Sequence, residues 1–344
     1  MSLRNLNSPP LVAAAGAGIA VGLPMLDALL SSSASLTLLK SLNVAAFAAN
    51  VVAVSVPGRL DGRQDDETRG GNLDPRNPDD GATSRNEGSP LAEKEEEKSS
   101  SSPAAYALRN GRTLVDPSGW AFAIWGPIYL GEAAFAAAQF LASDGAASAL
   151  LPRITAPFVA ANLFQSLWCA SFRPSYFGDE GGGWEKYVSA GALAGAACSL
   201  SLVHSAGVAA TTTAAAEPSS TLSVLLAPLT MHFGWTTAAT LVNLNGSLAS
   251  DESSSCASLV ALGHSSAVAA TALGVGLTLS RSAPAYGLTL AWALAACADG
   301  MAKRNPSESP AEEATLAKAA DAQRNLCWAG SFACAIAAAY AGLA

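Results

Sequence analysis

A carboxylate, an imidazole or an amide inside an apolar helix is costly unless it is paired or faces a cavity, so each such residue marks a candidate site. The 344-residue sequence offers few. Trp125, Tyr129, Glu132, Ala136 and Gln139 recur at helical spacing and share one face, an aromatic wall with an acid and an amide below it. Gln165 and Trp168 stand three apart on a second face, with Asn162 extending the polar trace and Phe172 one turn beyond. In a third set, His232, Thr236, Ala239 and Asn243 repeat at about one turn, with Trp235 beside them and Pro228 loosening the start of the helix. A small Ala239 facing several aromatics leaves room for a ligand, whereas pure core packing would fill that space.

Each residue also has a plainer reading. Trp125 and Tyr129 would serve an interfacial aromatic belt, Glu132 a bond between helices, and His232 an interior hydrogen bond. Glu132 lies more than ten residues past the start of its span, too deep for easy snorkelling, which favours a cavity; a carboxylate at that depth needs a cation or water beside it. It is the sole acid deep in the core spans, whereas general acid–base catalysis draws on two tunable groups. No nucleophile motif, phosphate loop or carboxylate pair occurs, so no catalytic residue is assigned and binding ranks ahead of turnover. The histidines, His204, His232 and His264, are too far apart in sequence for a local ligand cluster, although helices could unite them. Six cysteines, at 169, 198, 256, 297, 327 and 334, contain no C-x-x-C pair and mostly sit in apolar runs. Neither a metal site nor a disulfide framework is expected.

The elements that must carry these residues follow from composition. Half the residues are hydrophobic and 13% are charged, against about 25% in an average soluble domain. Of 19 basic and 27 acidic side chains, nine and twelve lie between Arg59 and Arg112. Outside that island the chain is a series of apolar runs: Ser41 to Pro57, Gly119 to Leu141, Ile154 to Phe172, Tyr187 to Ala209, Leu222 to Leu248, Ala257 to Leu279, Ala283 to Ala298 and Leu326 to Leu343. A bilayer core needs about 20 helical residues, so the runs predict an all-α, polytopic membrane bundle of about eight transmembrane helices. Recurrent small residues, such as Gly191 with Gly195, point to close helix packing.

Residues 1–40 read either as a targeting segment, organellar or secretory, or as a ninth helix; the apolar part, Leu11 to Leu30, is interrupted by Pro24 and Asp27. Residues 41–57 form the first core helix, 58–112 a charged, disordered loop that should be removable, 113–248 the rest of the core, and 249–344 additional helices. Fifteen Lys and Arg fall on the island's side of the eight-helix core, and only Lys40, Arg153 and Arg281 on the other, besides Arg4. The positive-inside rule puts the island on the cytoplasmic or equivalent side. A net charge of -8, with no basic stripe, argues against nucleic acid as a partner.

The run Pro117-Ser118-Gly119-Trp120-Ala121-Phe122-Ala123-Ile124-Trp125-Gly126-Pro127-Ile128-Tyr129 resembles the tryptophan-rich sensory protein family, TspO/MBR, also called translocator proteins. Two further blocks agree in order: Gln165 to Trp168 resembles the family's Asn-x-x-Trp, and Pro228 to Asn243 its fifth-helix pattern. The five-helix family core would cover roughly residues 41 to 248, and Arg281 to Trp292 resembles a longer branch with an R-x-x-P-A-Y stretch. The resemblance implies an integral membrane receptor or carrier with a cavity for planar hydrophobic ligands: tetrapyrroles such as porphyrins, or sterols and isoprenoids. It implies Trp125, Tyr129, Trp168, Trp235, Ala239 and Asn243 as cavity residues; Glu132, Gln165 and His232 join them from the spacing above. Gln165 stands where the family has Asn, and the island replaces a compact first loop. The expected partners are the lipid bilayer, one small hydrophobic ligand and a second copy of the chain, with a bound tetrapyrrole as the one cofactor candidate. An oxidative or photochemical enzyme acting on such a ligand, and a ligand-free scaffold, are the alternatives.

Overall fold

The computed structural model describes residues 8–55, 111–141, 144–171, 176, 183–213, 220–251, 253–307 and 309–343. Among the described residues there are nine α-helices and no strand. They are α1 (Pro9–Ser33), α2 (Leu36–Ser55), α3 (Trp125–Ala138), α4 (Asp144–Ala170), α5 (Val188–Thr213), α6 (Ser220–Ala249), α7 (Cys256–Ser280), α8 (Pro284–Ala302) and α9 (Pro310–Leu343). Short 3-10 turns, Gly119–Ile124 and Trp184–Tyr187, lead into α3 and α5. Among the described residues, six segments are long and apolar enough to cross a membrane: α1, α2, the turn with α3, the turn with α5, α7 and α9. The protein is a polytopic helical bundle.

The elements run longer than the apolar runs that announce them. Ser35 caps α2, its hydroxyl accepting from Leu38 N at 3.3 Å, so the helix begins five residues before Ser41. Helix α4 begins at Asp144, upstream of Ile154, and runs through Pro152 and Pro157. Within a membrane bundle, neighbouring groups satisfy the backbone that a proline frees. Between the two prolines, Thr155 Oγ1 donates back to Leu151 O at 2.8 Å. Helix α9 begins at Pro310, not near Leu326. Its charged first half is amphipathic, burying Leu316, Ala319, Ala320 and Gln323 on one face while Lys318, Asp321 and Arg324 face outward.

At the N-terminus, α1 packs along α4, with Gly16 near Phe164 and Leu167. It buries only Val12 and Leu30, so most of its apolar surface faces outward. The stretch expected to be a disordered loop, 58–112, lies outside the described residues except for Gly111 and Arg112, and these two are buried. Phe172 also lies outside them.

Two apolar cores divide the bundle. One gathers Phe135, Leu151, Ile154, Phe158, Val203 and Leu229 from α3 to α6. The other joins the start of α3 to α6 and α8 through Ile128, Phe233, Trp235, Tyr286, Leu290 and Leu294. Close backbone approach substitutes for the hydrophobic drive that lipid does not supply. Gly195 receives the Phe164 ring, whereas a side chain at Gly191 would meet nothing within 4 Å. Gly131 lies directly against Pro228, where any side chain would collide with the proline ring, and this contact sets the spacing of α3 and α6.

Candidate functional site

The residues from 111 to 118 enter the bundle as an irregular strap, and their backbone groups must find partners. Arg112 is 5% exposed and donates to the carbonyls of Ala249, Asp251 and Ser254 and to the Glu312 carboxylate at 3.0 Å. It thereby ties the strap to the α6–α7 connection and to the first turn of α9. Gly111, in the left-handed region at φ 61°, faces the backbone of Asn305 and Pro306 and accepts from Arg304. Leu114 packs against Met301, Ala319 and Ala320. Burial holds the Asp116 carboxyl up at about 6.

At its far end the strap fixes the 3-10 turn ahead of α3. Ser118 N donates to Ala296 O, and Asp299 of α8 accepts from both Ser118 Oγ (2.7 Å) and Trp120 Nε1 (2.8 Å). Trp292 packs edge-on against Trp120 and donates to Ala121 O at 3.0 Å. Trp125 therefore starts α3 from a position determined largely by α8.

Trp125 is the hub of an aromatic cluster. Tyr129 stacks on it one turn along, with centroids 5.3 Å apart and planes 27° apart. Trp168 of α4 lies at 6.3 Å, Trp235 of α6 meets it edge-on at 6.0 Å, and the His232 ring does so at 5.6 Å. Phe122, half exposed, sits edge-on to Trp235, and Phe47 of α2 approaches Tyr129. Beside the cluster, a lipid-facing groove of about 310 Å³ runs between Ile124, Pro127, Met231, Leu288 and Trp292.

Below the rings lies a polar chain. His232 Nδ1 is 2.6 Å from Glu132 Oε1, and Nε2 is 2.6 Å from Gln165 Oε1; all three residues are almost fully buried. Gln165 Nε2 donates onward to the Tyr129 hydroxyl at 3.3 Å. With the amide in this orientation both ring nitrogens face acceptor oxygens. Turning the amide over places its NH2 on Nε2 and its oxygen on the tyrosine hydroxyl, which suits a neutral ring. The turn of one amide thus changes which partner the ring and the tyrosine hydroxyl each meet. Glu132 Oε2 has no hydrogen-bond partner in either orientation.

The structure brings Trp125, Tyr129, Glu132, Gln165, Trp168, His232 and Trp235 into this one constellation. Asn243 joins at its edge, accepting from Trp168 Nε1 at 3.4 Å, and Ala239 accepts from Asn243 Nδ2. Gln139, although on the face of Glu132, is engaged elsewhere, its Oε1 accepting from Asn43 at 2.9 Å. Sequence reasoning missed the polar residues of α2: Asn43 reaches Gln139 and Thr155, Asn50 donates to Asn162 at 3.1 Å, and Asn50 stands beside the Tyr129 hydroxyl. Two asparagines seven apart in an apolar run share a helical face, and that spacing was the available signal. The three histidines are dispersed, with His204 on Thr230 and His264 on Gln323. All six cysteines are free thiols. Among the described residues, no group of three or more His, Cys, Asp or Glu could hold a metal ion.

A model of the TSPO-like protein family matches residues 102–317, well over half of the chain. Comparison with curated proteins and with solved structures finds no match. The matched stretch contains the strap, the aromatic cluster, the polar chain beneath it, and helices α7 and α8.

Proposed function

The chain belongs to the TSPO-like protein family, and from that premise we propose that it is a membrane receptor or carrier for a planar hydrophobic ligand of the tetrapyrrole class. The observation that carries this reading is the aromatic cluster centred on Trp125, which gathers rings from three helices directly above a buried acid, imidazole and amide. Flat conjugated rings gain from offset stacking on indoles beyond the burial of their area. Glu132 Oε2, an acceptor without a partner, suits a ligand that brings an N–H donor, as a pyrrole does. The cluster is filled by its own side chains, so the ligand enters by displacing Trp125 from Tyr129 and taking its place in the stack. The apolar groove beside Ile124 and Met231 offers a route from the bilayer.

The test is quenching of intrinsic tryptophan fluorescence by protoporphyrin in the detergent-purified protein. Saturable quenching is expected, with affinity lost in the Trp125→Ala, Trp235→Ala double variant. Unchanged affinity in that variant removes the cluster as the site. Light-dependent loss of porphyrin absorbance that requires Trp125 and Trp235 would instead identify an enzyme.

A further inference from the structure

At the end of the bundle opposite the strap, a second pocket of about 250 Å³ opens between α5, α6 and the α7–α8 turn. Its walls are Gly207, Val208, Leu226, Ala227 and Ala285, and its polar lining includes His204, Thr230 and Ser282. His204 and Thr230 are 8% and 5% exposed, and they bond each other through Nδ1 and Oγ1 at 3.0 Å. His204 Nε2 forms no hydrogen bond of good geometry, although the Arg281 main chain lies beside the ring.

The turn is built to hold a cation at this place. Ser282 adopts the left-handed conformation at φ 48°, and Ala283 N donates back to Thr278 O, closing a Schellman-type end on α7. A residue other than glycine costs about 1 kcal/mol or more in that conformation. The reversal starts α8 at Pro284, so the positive end of the helix dipole abuts the pocket that Ala283, Pro284 and Ala285 line. Arg281 Nη1 donates to Ser201 Oγ at 2.7 Å and Ser205 Oγ at 3.2 Å. Arg112, Lys186 and Arg304 each meet a carboxylate, but among the described residues Arg281 meets only hydroxyls. A helix N-terminus and a buried imidazole nitrogen without a good partner therefore line one apolar pocket, and the Arg281 guanidinium, next in sequence to Ser282, is held beside it on Ser201 and Ser205.

We propose that this pocket binds the anionic phosphate head of a membrane phospholipid. The phosphate sits at the start of α8 within reach of Arg281, and the Thr230 hydroxyl turns from Leu226 O to His204 Nδ1, so that the ring carries its proton on Nε2 and donates it to the phosphate. Arginine suits a phosphate because its planar fork presents paired donors and remains charged. The pocket is smaller than the roughly 300–1,000 Å³ of sites that enclose a whole ligand. It takes the head-proximal part of the lipid, and the acyl chains remain in the bilayer along α5 and α6. A lipid so placed clamps the added helix pair α7–α8 to the core helices α5 and α6.

The test is thermal unfolding of the full chain in neutral detergent, titrated separately with dioleoylphosphatidylglycerol, dioleoylphosphatidylcholine and inorganic phosphate. The anionic lipid is expected to raise the midpoint, and the zwitterionic lipid and free phosphate to leave it nearly unchanged. Arg281→Gln should weaken the apparent affinity about tenfold or more, equivalent to one charge-assisted hydrogen bond. Ala227→Phe, at an exposed pocket-lining position, should weaken it by filling the slot without touching the charge. Equal stabilisation by the two lipids, or by phosphate alone, overturns the proposal, as does an unchanged response in Ala227→Phe. Protoporphyrin quenching of the Trp125 cluster should stay at the parent level in both variants, and its loss would overturn the separation of the two sites.

Discussion

His232 Nδ1 stands 2.6 Å from Glu132 Oε1, joining two side chains that are 100 positions apart and almost wholly shielded from solvent. Removing one member of a buried hydrogen-bonded pair leaves the other unsatisfied, which typically costs about 1–3 kcal/mol, and more for a charged group, whereas replacing both with apolar residues of similar shape is often nearly neutral. His232→Ala should therefore destabilise strongly, and Glu132→Gln less, because the amide keeps the volume and a hydrogen bond. The Glu132→Leu, His232→Leu double variant should recover most of the loss. Chemical unfolding in micelles gives the cycle, and strictly additive costs would show that the two groups do not act as a pair.

Arg112 satisfies three backbone carbonyls as well as Glu312, so its loss exposes several buried acceptors at once. Arg112→Ala should cost about 3–5 kcal/mol. Arg112→Lys should rescue little, since an ammonium cannot reproduce the planar fork. Thermal unfolding reads both variants, and a lysine variant as stable as the parent would contradict the geometry.

Asp116 and Asp251 should give opposite pH dependences. The Asp116 carboxyl is raised by burial to about 6, so its contribution to stability is present below about pH 4 and disappears as pH rises through 6. Asp116→Asn should abolish that decline. Unfolding midpoints of the parent and the variant between pH 4 and 7 decide it.

Asp251 is held down at about 2 by hydrogen bonds from Lys186 and Ser253. Its contribution is complete above about pH 4 and is lost as pH falls toward 2. Asp251→Asn should lower stability at neutral pH, where Lys186, itself 5% exposed, loses its carboxylate at 2.7 Å. The variant should also be less sensitive to acid than the parent, and an identical acid profile would exclude the ion pair as the cause.

A side chain at Gly131 meets the Pro228 ring. Gly131→Ala should destabilise by about 1–3 kcal/mol through overpacking, and Pro228→Ala should partly rescue it. Because the same contact sets how Glu132 faces His232, the single variant should also weaken protoporphyrin quenching. Full quenching in Gly131→Ala would separate the packing of α3 and α6 from the site.

Helical spacing made Trp125, Tyr129 and Glu132 legible as one face, and likewise Gln165 with Trp168, because period alone decides which side chains share a direction. It could not say that Glu132 would meet His232, since a face does not name the helix it will pack against. Lys318 and Arg324 read as loop residues because hydropathy averages over faces; Leu316, Ala319 and Gln323 carried the amphipathic signal beneath them. The apolar run from Ile154 already contained Pro157, but hydropathy did not announce the stretch from Asp144; a bundle can supply partners for backbone that proline frees, and α4 runs through Pro152 as well. Arg112, at the edge of a charge-rich stretch, looked like solvated chain and turned out to be one of the most engaged cations in the fold.

The strap has a consequence for how the chain can be divided. Residues 111–118 run from the end of the charged insertion to the tryptophan helix, yet their fastenings belong to segments beyond residue 248: Ala249, Asp251, Ser254, Asp299, Arg304 and Glu312. A gene fragment ending after α6 would encode every ring of the cluster and leave the first of them without moorings. The later helices are therefore not a detachable appendix. They are the frame on which the earlier part of the chain hangs, and the shortened protein would be a different molecule rather than a smaller version of this one.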